Sequence, residues 1–240
     1  MILIDEYSKN ILRLIVISPK LKTIDKSINI EEIKSLYSRI KSAKNKFTES
    51  EELKFNHPMK MYFYYNKFQF ELNFDIVVKV KGDKVLSNQF LLQIFSLNEE
   101  LSFREDLDTE NIKNELEKIG WRRLMLQLHF DKHPHKDKFH PTFHVQIGGN
   151  NSEQHLWHPE LLNIPRIPNF PMELILFFEF ILMNFYKDNN QAMEFLIDDA
   201  WKNVRKISEK QIIQPFLQSC LEYFQSSVEE KTEISFLMSL

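Results

Sequence analysis

FQFELNFDIVVKVK, the stretch at residues 68–81, decides the fold of this chain. Apolar and polar residues alternate along it, and the apolar set is Phe68, Phe70, Leu72, Phe74, Ile76, Val78 and Val80. Because neighbouring side chains of a strand point to opposite faces, this period of two predicts a β-strand with one face on the core and one face in water. Such one-sided strands are typical of antiparallel sheets.

The sequence on both sides of this strand extends the sheet. Gly82, Asp83 and Lys84 predict a turn into a second strand over residues 85–97. Three further strands are expected over residues 59–65, 122–130 and 142–148. We expect the last two to pair with each other, so the sequence predicts an antiparallel sheet of about five strands.

Helical spacing of apolar residues dominates both ends of the chain. Near the N-terminus it predicts helices over residues 3–17, which Pro19 should end, and 29–46, which Asn29 should cap. Further helices are expected over residues 109–119, 172–186, 194–201 and 210–224, and the apolar tail at 233–240 is a candidate edge strand. The predicted class is α+β, an antiparallel sheet of about five strands flanked by N-terminal and C-terminal helices.

We expect the whole chain, residues 1–240, to form a single α+β domain. Residues 1–56 should hold the N-terminal helices, and residues 57–150 the antiparallel sheet with one inserted helix. Residues 151–240 should hold a loop and the C-terminal helices. No internal repeat, low-complexity tract or long linker separates these parts.

The composition excludes several functional classes. With 31 basic against 34 acidic residues, the net charge gives no sign of binding to nucleic acid or to a membrane. Only four glycines are present, and none belongs to a Gly-rich nucleotide-binding motif. The single cysteine, Cys220, lies in a helical pattern, which predicts a buried, inert thiol and a reducing compartment.

Asp5 and Glu6 stand where a signal peptide needs positive charge, and the apolar run at 172–186 is too short and charged to span a bilayer. We therefore expect a cytoplasmic protein that does not enter membranes.

Seven of the eight histidines lie in a histidine-rich hairpin and its continuation, between His129 and His158. Imidazole is a common ligand of zinc and related ions. If the strands at 122–130 and 142–148 pair, we expect His129 and His144 to lie nearly opposite each other, with Asp131 on the same face as His129. Together with His140 they form a candidate site for a divalent transition metal: His129, Asp131, His140 and His144.

The sequence leaves both a functional and a structural role for these histidines. Their spacing matches no known zinc signature. His140 and His144 are candidate catalytic residues, and the alternative is that they are structural and bond across the sheet. For His133 and His135 the alternative is a solvent-exposed hairpin tip.

Four basic residues form a candidate anion-binding set. Arg166 stands between two prolines and shortly before a predicted helix, and its planar guanidinium matches carboxylate and phosphate geometry. Three lysines of the hairpin would add phosphate contacts that do not depend on sequence: Lys132, Lys136 and Lys138. The alternative for Arg166 is a salt bridge to Glu160 or Glu173.

A set of short motifs lies within residues 139–187. They are His140-Pro141-x-x-His144, an apolar strand that ends at Gly148, Arg166-Ile167-Pro168, and an aromatic helix that closes in Asn184-Phe185-Tyr186. In this part the chain resembles an uncharacterised bacterial domain of unknown function. The resemblance implies no established activity, and members of that family look like single-domain proteins of mobile or defence-related loci.

Two functional hypotheses follow. The first is a non-catalytic binding subunit, with a protein partner, in a bacterial intracellular complex that handles nucleic acid, with antiviral defence as a candidate setting. The alternative is a metal-dependent hydrolase, by preference a nuclease, that uses the cluster from His129 to His144. We favour the first, because metal hydrolases usually supply more carboxylates near their histidines than this chain does.

Overall fold

The structure is a computed structural model that describes residues 2–44, 46, 49–98, 122–132, 143–147 and 166–225. These residues form one sheet of eight strands: β1 Ile2–Leu3, β2 Glu51–Lys54, β3 Met59–Tyr65, β4 Phe68–Lys81, β5 Lys84–Ser96, β6 Arg123–Lys132, β7 Phe143–Ile147 and β8 Arg166–Pro168. The same residues form five helices: α1 Ile4–Ile24, α2 Ile30–Ala43, α3 Leu174–Phe185, α4 Asn190–Ile197 and α5 Asp199–Gln225. The predicted α+β class is confirmed.

Every strand pairing in this sheet is antiparallel. The strand order is β2-β4-β5-β6-β7-β8, while β3 also pairs with β4 and β1 with β5. Gly82, at φ 60°, provides the left-handed turn between β4 and β5. The strands beyond the predicted five are the short elements β1, β2 and β8. Pro168 is tolerated in β8 because this strand ends the sheet order, where a missing N–H breaks no ladder on the outer side.

Helix α3 covers the apolar face of the sheet. The alternation of β4 is confirmed, since its apolar side chains point to this face and face their counterparts on β5, for example Phe74 opposite Leu92. The ring of Phe177 on α3 lies 5.3 Å from that of Phe74, 4.3 Å from Phe90 and 5.5 Å from Phe130. One aromatic side chain of α3 therefore packs on three neighbouring strands, which fixes the helix on the sheet.

The prediction that Pro19 ends the first helix is wrong, because α1 continues through Pro19 to Ile24. A proline inside a helix leaves the carbonyl of residue i−4 without its usual N–H donor. Here that carbonyl belongs to Ile15, and the hydroxyl of Ser18 donates a hydrogen bond to it at 2.6 Å. The serine supplies the donor that the proline lacks, so the helix persists. Asn29 does cap α2, as predicted, by accepting from the N–H of Glu31.

The outer edge of β3 is closed by side chains. The carboxylate of Asp25 accepts a hydrogen bond from the Tyr62 N–H. The Tyr186 hydroxyl donates to the Tyr62 carbonyl at 2.9 Å, and the Ser27 hydroxyl donates to the Lys60 carbonyl at 2.9 Å. An open strand edge is a template for pairing with other chains, so these three side chains protect the sheet.

Two predicted elements lie outside the described residues, namely the inserted helix at 109–119 and the candidate strand at 233–240. The single-domain organisation stays a prediction. Within the described part of the chain, no helix has both the length and the apolar character that a membrane crossing requires.

Candidate functional site

The face of the sheet that points away from α3 is polar, and we call it the polar face. Its side chains come from the alternate positions of each strand. On three neighbouring strands one register line joins His129 of β6, Gln146 of β7 and Arg166 of β8. We call these three residues the His129 row. The next register line on the same face joins Asp131, His144 and Pro168.

The expected register between β6 and β7 is wrong by two residues. His144 lies opposite Asp131, whereas His129 lies opposite Gln146. A shift by two residues keeps every side chain on its own face, so alternation alone could not separate the two registers. On the apolar face the structure pairs Phe130 with Val145. The antiparallel pairing of the two strands itself is confirmed.

Two amide side chains, hydrogen-bonded in series, hold the ring of His129. The Gln93 Nε2 donates to the Gln127 Oε1 at 2.7 Å, and the Gln127 Nε2 lies 3.0 Å from the His129 Nε2. Gln127 is only 1% exposed. Burial lowers the pKa of His129, and the nearby Asp131 carboxylate opposes this effect more weakly. His129 is therefore neutral at neutral pH, with its Nε2 engaged by an amide.

His144 is the other candidate histidine that the structure describes on these strands. It is 3% exposed and lies opposite Asp131. Directly opposed residues of antiparallel strands have Cβ atoms about 5 Å apart, so an imidazole and a carboxylate at these positions can interact. Among the described residues no group of three His, Cys, Asp or Glu side chains is placed to hold a metal ion. His140, the remaining candidate ligand, lies outside those residues, and the metal site stays a prediction.

The candidate anion-binding residues are described only in part. The backbone of Arg166 forms the start of β8, beside β7 and two register positions from His144. Lys132 ends β6 in register with Phe143. Lys136 and Lys138 lie outside the described residues, as do His133, His135 and His140.

Glu173, one of the two acidic partners considered for Arg166, has a different role. Its carboxyl group accepts hydrogen bonds from the N–H groups of Ile175 and Leu176 and caps α3. A side-chain acceptor at this position satisfies donors that have no partner within the helix. Glu160, the other partner considered, lies outside the described residues.

Sequence reasoning missed a second group of side chains on the polar face. The guanidinium of Arg122 donates to the Glu71 Oε1 from Nε at 3.1 Å and from Nη2 at 3.0 Å. The same guanidinium lies 3.4 Å from the ring centroid of Phe95, and the Tyr62 hydroxyl donates to the other Glu71 oxygen at 3.3 Å. The available signal was Glu71 itself, a carboxylate at a polar position of the clearest strand.

Between this group and the His129 row lie the amide side chains. Asn73 is opposite Gln93, which is opposite Gln127 in turn. The Asn73 Oδ1 is buried and has no hydrogen-bond partner in the part of the chain that the structure describes. The polar face thus carries amide, imidazole and guanidinium groups, several of them buried and hydrogen-bonded to one another, while His129 and Gln146 are partly exposed.

Cys220 is partly buried, and burial raises the pKa of its thiol. A raised pKa keeps the group as a thiol near neutral pH, whereas a nucleophilic cysteine needs the thiolate. The raised pKa agrees with the prediction of an inert thiol, whereas the Cys220 side chain is only partly buried.

Comparison of the chain with protein-family models, with curated proteins and with solved structures finds no match. The resemblance carried by residues 139–187 therefore stays an expectation. The chemistry of the polar face is the basis for a functional assignment.

Proposed function

We propose that this chain is a non-catalytic binding subunit that contacts nucleic acid through the His129 row, with Lys132 as a further phosphate contact. We place it in a bacterial intracellular complex, with antiviral defence as the setting. The observation that carries the proposal is the register that aligns His129, Gln146 and Arg166 on three adjacent strands.

The chemistry of the row fits a nucleic-acid ligand. Neighbouring strands lie about 4.8 Å apart, so the row spans about 10 Å across the sheet. An arginine at one end can contact a phosphate with two parallel N–H donors. A glutamine amide can pair with a base edge through one donor and one acceptor, and a neutral imidazole adds a further donor. His129 and Gln146 are both partly exposed, so a ligand can reach them.

Exposed apolar side chains on the helices support a protein partner. Val16 of α1 is 71% exposed and Ile197 of α4 is 64% exposed. Lys20, one helical turn after Val16, forms an ion pair at 2.6 Å with Asp198, the residue after Ile197. The two apolar side chains therefore lie next to a contact between α1 and α4. Neighbouring exposed apolar groups of this kind are typical of protein interaction surfaces.

Binding of fluorescently labelled oligonucleotides tests the proposal. Fluorescence anisotropy with single-stranded RNA, single-stranded DNA and duplex DNA would give the affinity of each. We expect Arg166→Ala to weaken binding by roughly tenfold to a hundredfold and to reduce the salt dependence by about one phosphate contact. The melting temperature should change little.

Lys22→Ala, which removes an exposed lysine of α1, is the matched control and should leave binding unchanged. A wild-type protein that binds none of the three oligonucleotides contradicts the proposal. A large drop in the melting temperature of Arg166→Ala would assign that residue a structural role instead.

The alternative function is a metal-dependent hydrolase, by preference a nuclease. One observation favours it, namely that Asp131 and His144 are directly opposed on paired strands. Such a site would recruit His140 from the connection between the strands and His129 through its Nδ1. Elemental analysis of protein purified without a histidine tag separates the two functions. A stoichiometric transition metal that is lost in His144→Ala would overturn the binding proposal.

A further inference from the structure

Two glutamine side chains hold the ring of His129. Gln93, Gln127 and His129 form one hydrogen-bonded chain on the polar face, with contacts of 2.7 and 3.0 Å. Gln93 and Gln127 are opposed on β5 and β6, and His129 follows Gln127 by two positions on the same strand. All three side chains therefore project from the same face of the sheet.

The donor–acceptor direction of these two hydrogen bonds determines which nitrogen of the His129 ring carries the proton. The carbonyl oxygen of Gln127 accepts from the Gln93 amide, so the Gln127 NH₂ group is the end that meets His129. An amide NH₂ group only donates, so the His129 Nε2 must accept with its lone pair. In a neutral imidazole one nitrogen accepts and the other carries the proton. The proton of His129 therefore lies on Nδ1.

The surroundings of His129 support the neutral form. Gln127 is almost fully buried, so the contact between the amide and the ring is shielded from water. Burial also disfavours the imidazolium, and the carboxylate of Asp131 offsets this effect only in part. In a shielded contact the amide orientation and the tautomer depend on each other.

We propose that Gln93 and Gln127 are positioning residues that hold His129 as the neutral Nδ1–H tautomer, so that His129 meets its ligand as a hydrogen-bond donor. The group that such a donor selects is an oxygen acceptor, here a phosphate oxygen of the nucleic-acid backbone. The ligand part of this inference rests on the proposed function, whereas the tautomer does not. One chemical consequence is that the His129 Nε2 has no free lone pair for a metal ion.

Nitrogen-15 NMR of the histidine rings tests the tautomer in the free protein. Long-range ¹H–¹⁵N spectra distinguish a protonated ring nitrogen from an unprotonated one, and His129→Gln identifies the signals of His129. We expect a protonated Nδ1 and an unprotonated Nε2. A protonated Nε2 in the wild-type protein overturns the proposal, because the hydrogen-bond chain would then run in the opposite direction.

Gln127→Glu is the decisive variant. The carboxylate still accepts from Gln93 but cannot donate to His129, so the His129 proton should move to Nε2. The matched control is Gln89→Glu, which makes the same change at an exposed position of the same face on β5 and should leave His129 unchanged. An unchanged His129 spectrum in Gln127→Glu overturns the proposal.

A second variant tests the proposal if Gln127→Glu fails to fold. Gln93→Leu removes one of the hydrogen bonds that orient the Gln127 amide, and we expect part of the His129 signal to shift from the Nδ1–H to the Nε2–H tautomer. Retention of the single Nδ1–H form in Gln93→Leu would overturn the positioning role of Gln93.

Oligonucleotide binding distinguishes the tautomer of His129 from the role of His129 as a hydrogen-bond donor to nucleic acid. We expect Gln127→Glu to weaken binding about tenfold more than Gln89→Glu, since both variants add one negative charge but only one changes the tautomer. The expected spectra without binding of any oligonucleotide would support the tautomer and overturn the proposed function. Equal binding by the two variants would overturn the donor role of His129.

Discussion

The hydroxyl of Ser208 on α5 donates a hydrogen bond to the carboxyl group of Glu173 at the start of α3. The same oxygen, Oε1, accepts the N–H groups of Ile175 and Leu176 in the first turn of α3, whereas Oε2 is buried and has no partner among the residues that the structure describes. Glu173 is completely buried, and burial raises its pKa to about 7. With Oε1 as the carbonyl, the three described hydrogen bonds are compatible with a protonated carboxyl group, whose neutral form burial favours.

Stability should therefore depend on the ionisation of Glu173. Its pKa is about 7 in the folded chain, against an ordinary value of 4.5. The folded state thus holds the proton more tightly, and the contribution of this group to the free energy of unfolding is complete below pH 4.5. It is lost as the pH rises from 4.5 to 7, by on the order of 3 kcal/mol. Chemical denaturation between pH 4.5 and 8 measures this loss.

Glu173→Gln should remove this pH dependence, since the amide stays neutral and can accept the same hydrogen bonds. We expect the variant to be more stable than the wild type above pH 7 and close to it near pH 4.5. Glu31→Gln, a change at an exposed position of α2, is the control and should retain the wild-type pH profile. An equal slope in wild type and Glu173→Gln would show that Glu173 ionises normally.

Tyr186→Phe should weaken the closed edge of β3. Its hydroxyl lies 2.9 Å from both the Asp25 carboxylate and the Tyr62 carbonyl, in a buried position. Removal of the hydroxyl leaves the Tyr62 carbonyl without this donor, whereas the Asp25 carboxylate keeps the Tyr62 N–H, and the loss should cost about 1–3 kcal/mol in urea denaturation. Tyr64→Phe, at an exposed tyrosine of β3 itself, should change stability by less than about 0.5 kcal/mol. Equal effects of the two variants would contradict the role of Tyr186.

Ser18→Ala should destabilise α1 by about 1 kcal/mol, because the Ile15 carbonyl then has neither a backbone donor nor the serine hydroxyl. Thermal denaturation followed by circular dichroism measures the effect. Ser42→Ala is the matched control, since the Ser42 hydroxyl also bonds a carbonyl three residues earlier, but in a helix without a proline. If both variants melt at the same temperature, Ser18 does not compensate for Pro19.

Phe177→Ala should be the most destabilising of these changes, by about 3–5 kcal/mol, because the ring packs against three strands and the cavity cannot collapse easily. Equilibrium unfolding in guanidinium chloride is the measurement. Met183→Ala, an exposed position of the same helix, should cost far less. A loss below about 1 kcal/mol for Phe177→Ala would show that α3 is not fixed by this ring.

Local patterns predicted most elements of the fold. The strands at 59–65 and 68–81 agree with the observed bounds, and the aromatic helix at 172–186 appears as α3. The strands were predictable because each buries one face and burial imposes a period on the sequence, and the helix was predictable from its continuous apolar run, which is buried on most sides. Strand β8 was missed, since three residues that include Pro168 are too few to show a period.

Relations between segments were harder to predict than the segments themselves. The register that places His144 opposite Asp131 depends on long-range packing of the apolar face, and two registers that differ by two residues look alike in the sequence. The pairing of Arg122 with Glu71 joins residues 51 positions apart, for which no local pattern exists. The candidate site was thus predictable in its residue types on β6 and β7, but not in its geometry.

The closed edge of β3 has a consequence for the synthesis of the chain. The Tyr62 carbonyl precedes the Tyr186 hydroxyl by 124 residues, so a ribosome makes the edge on the order of ten seconds before the last of the three side chains that close it. During that time β3 can form its hairpin with β4 and Asp25 and Ser27 can already bind its outer edge, while the Tyr62 carbonyl still lacks the Tyr186 donor. Protection of this edge is therefore complete only when translation has passed α3.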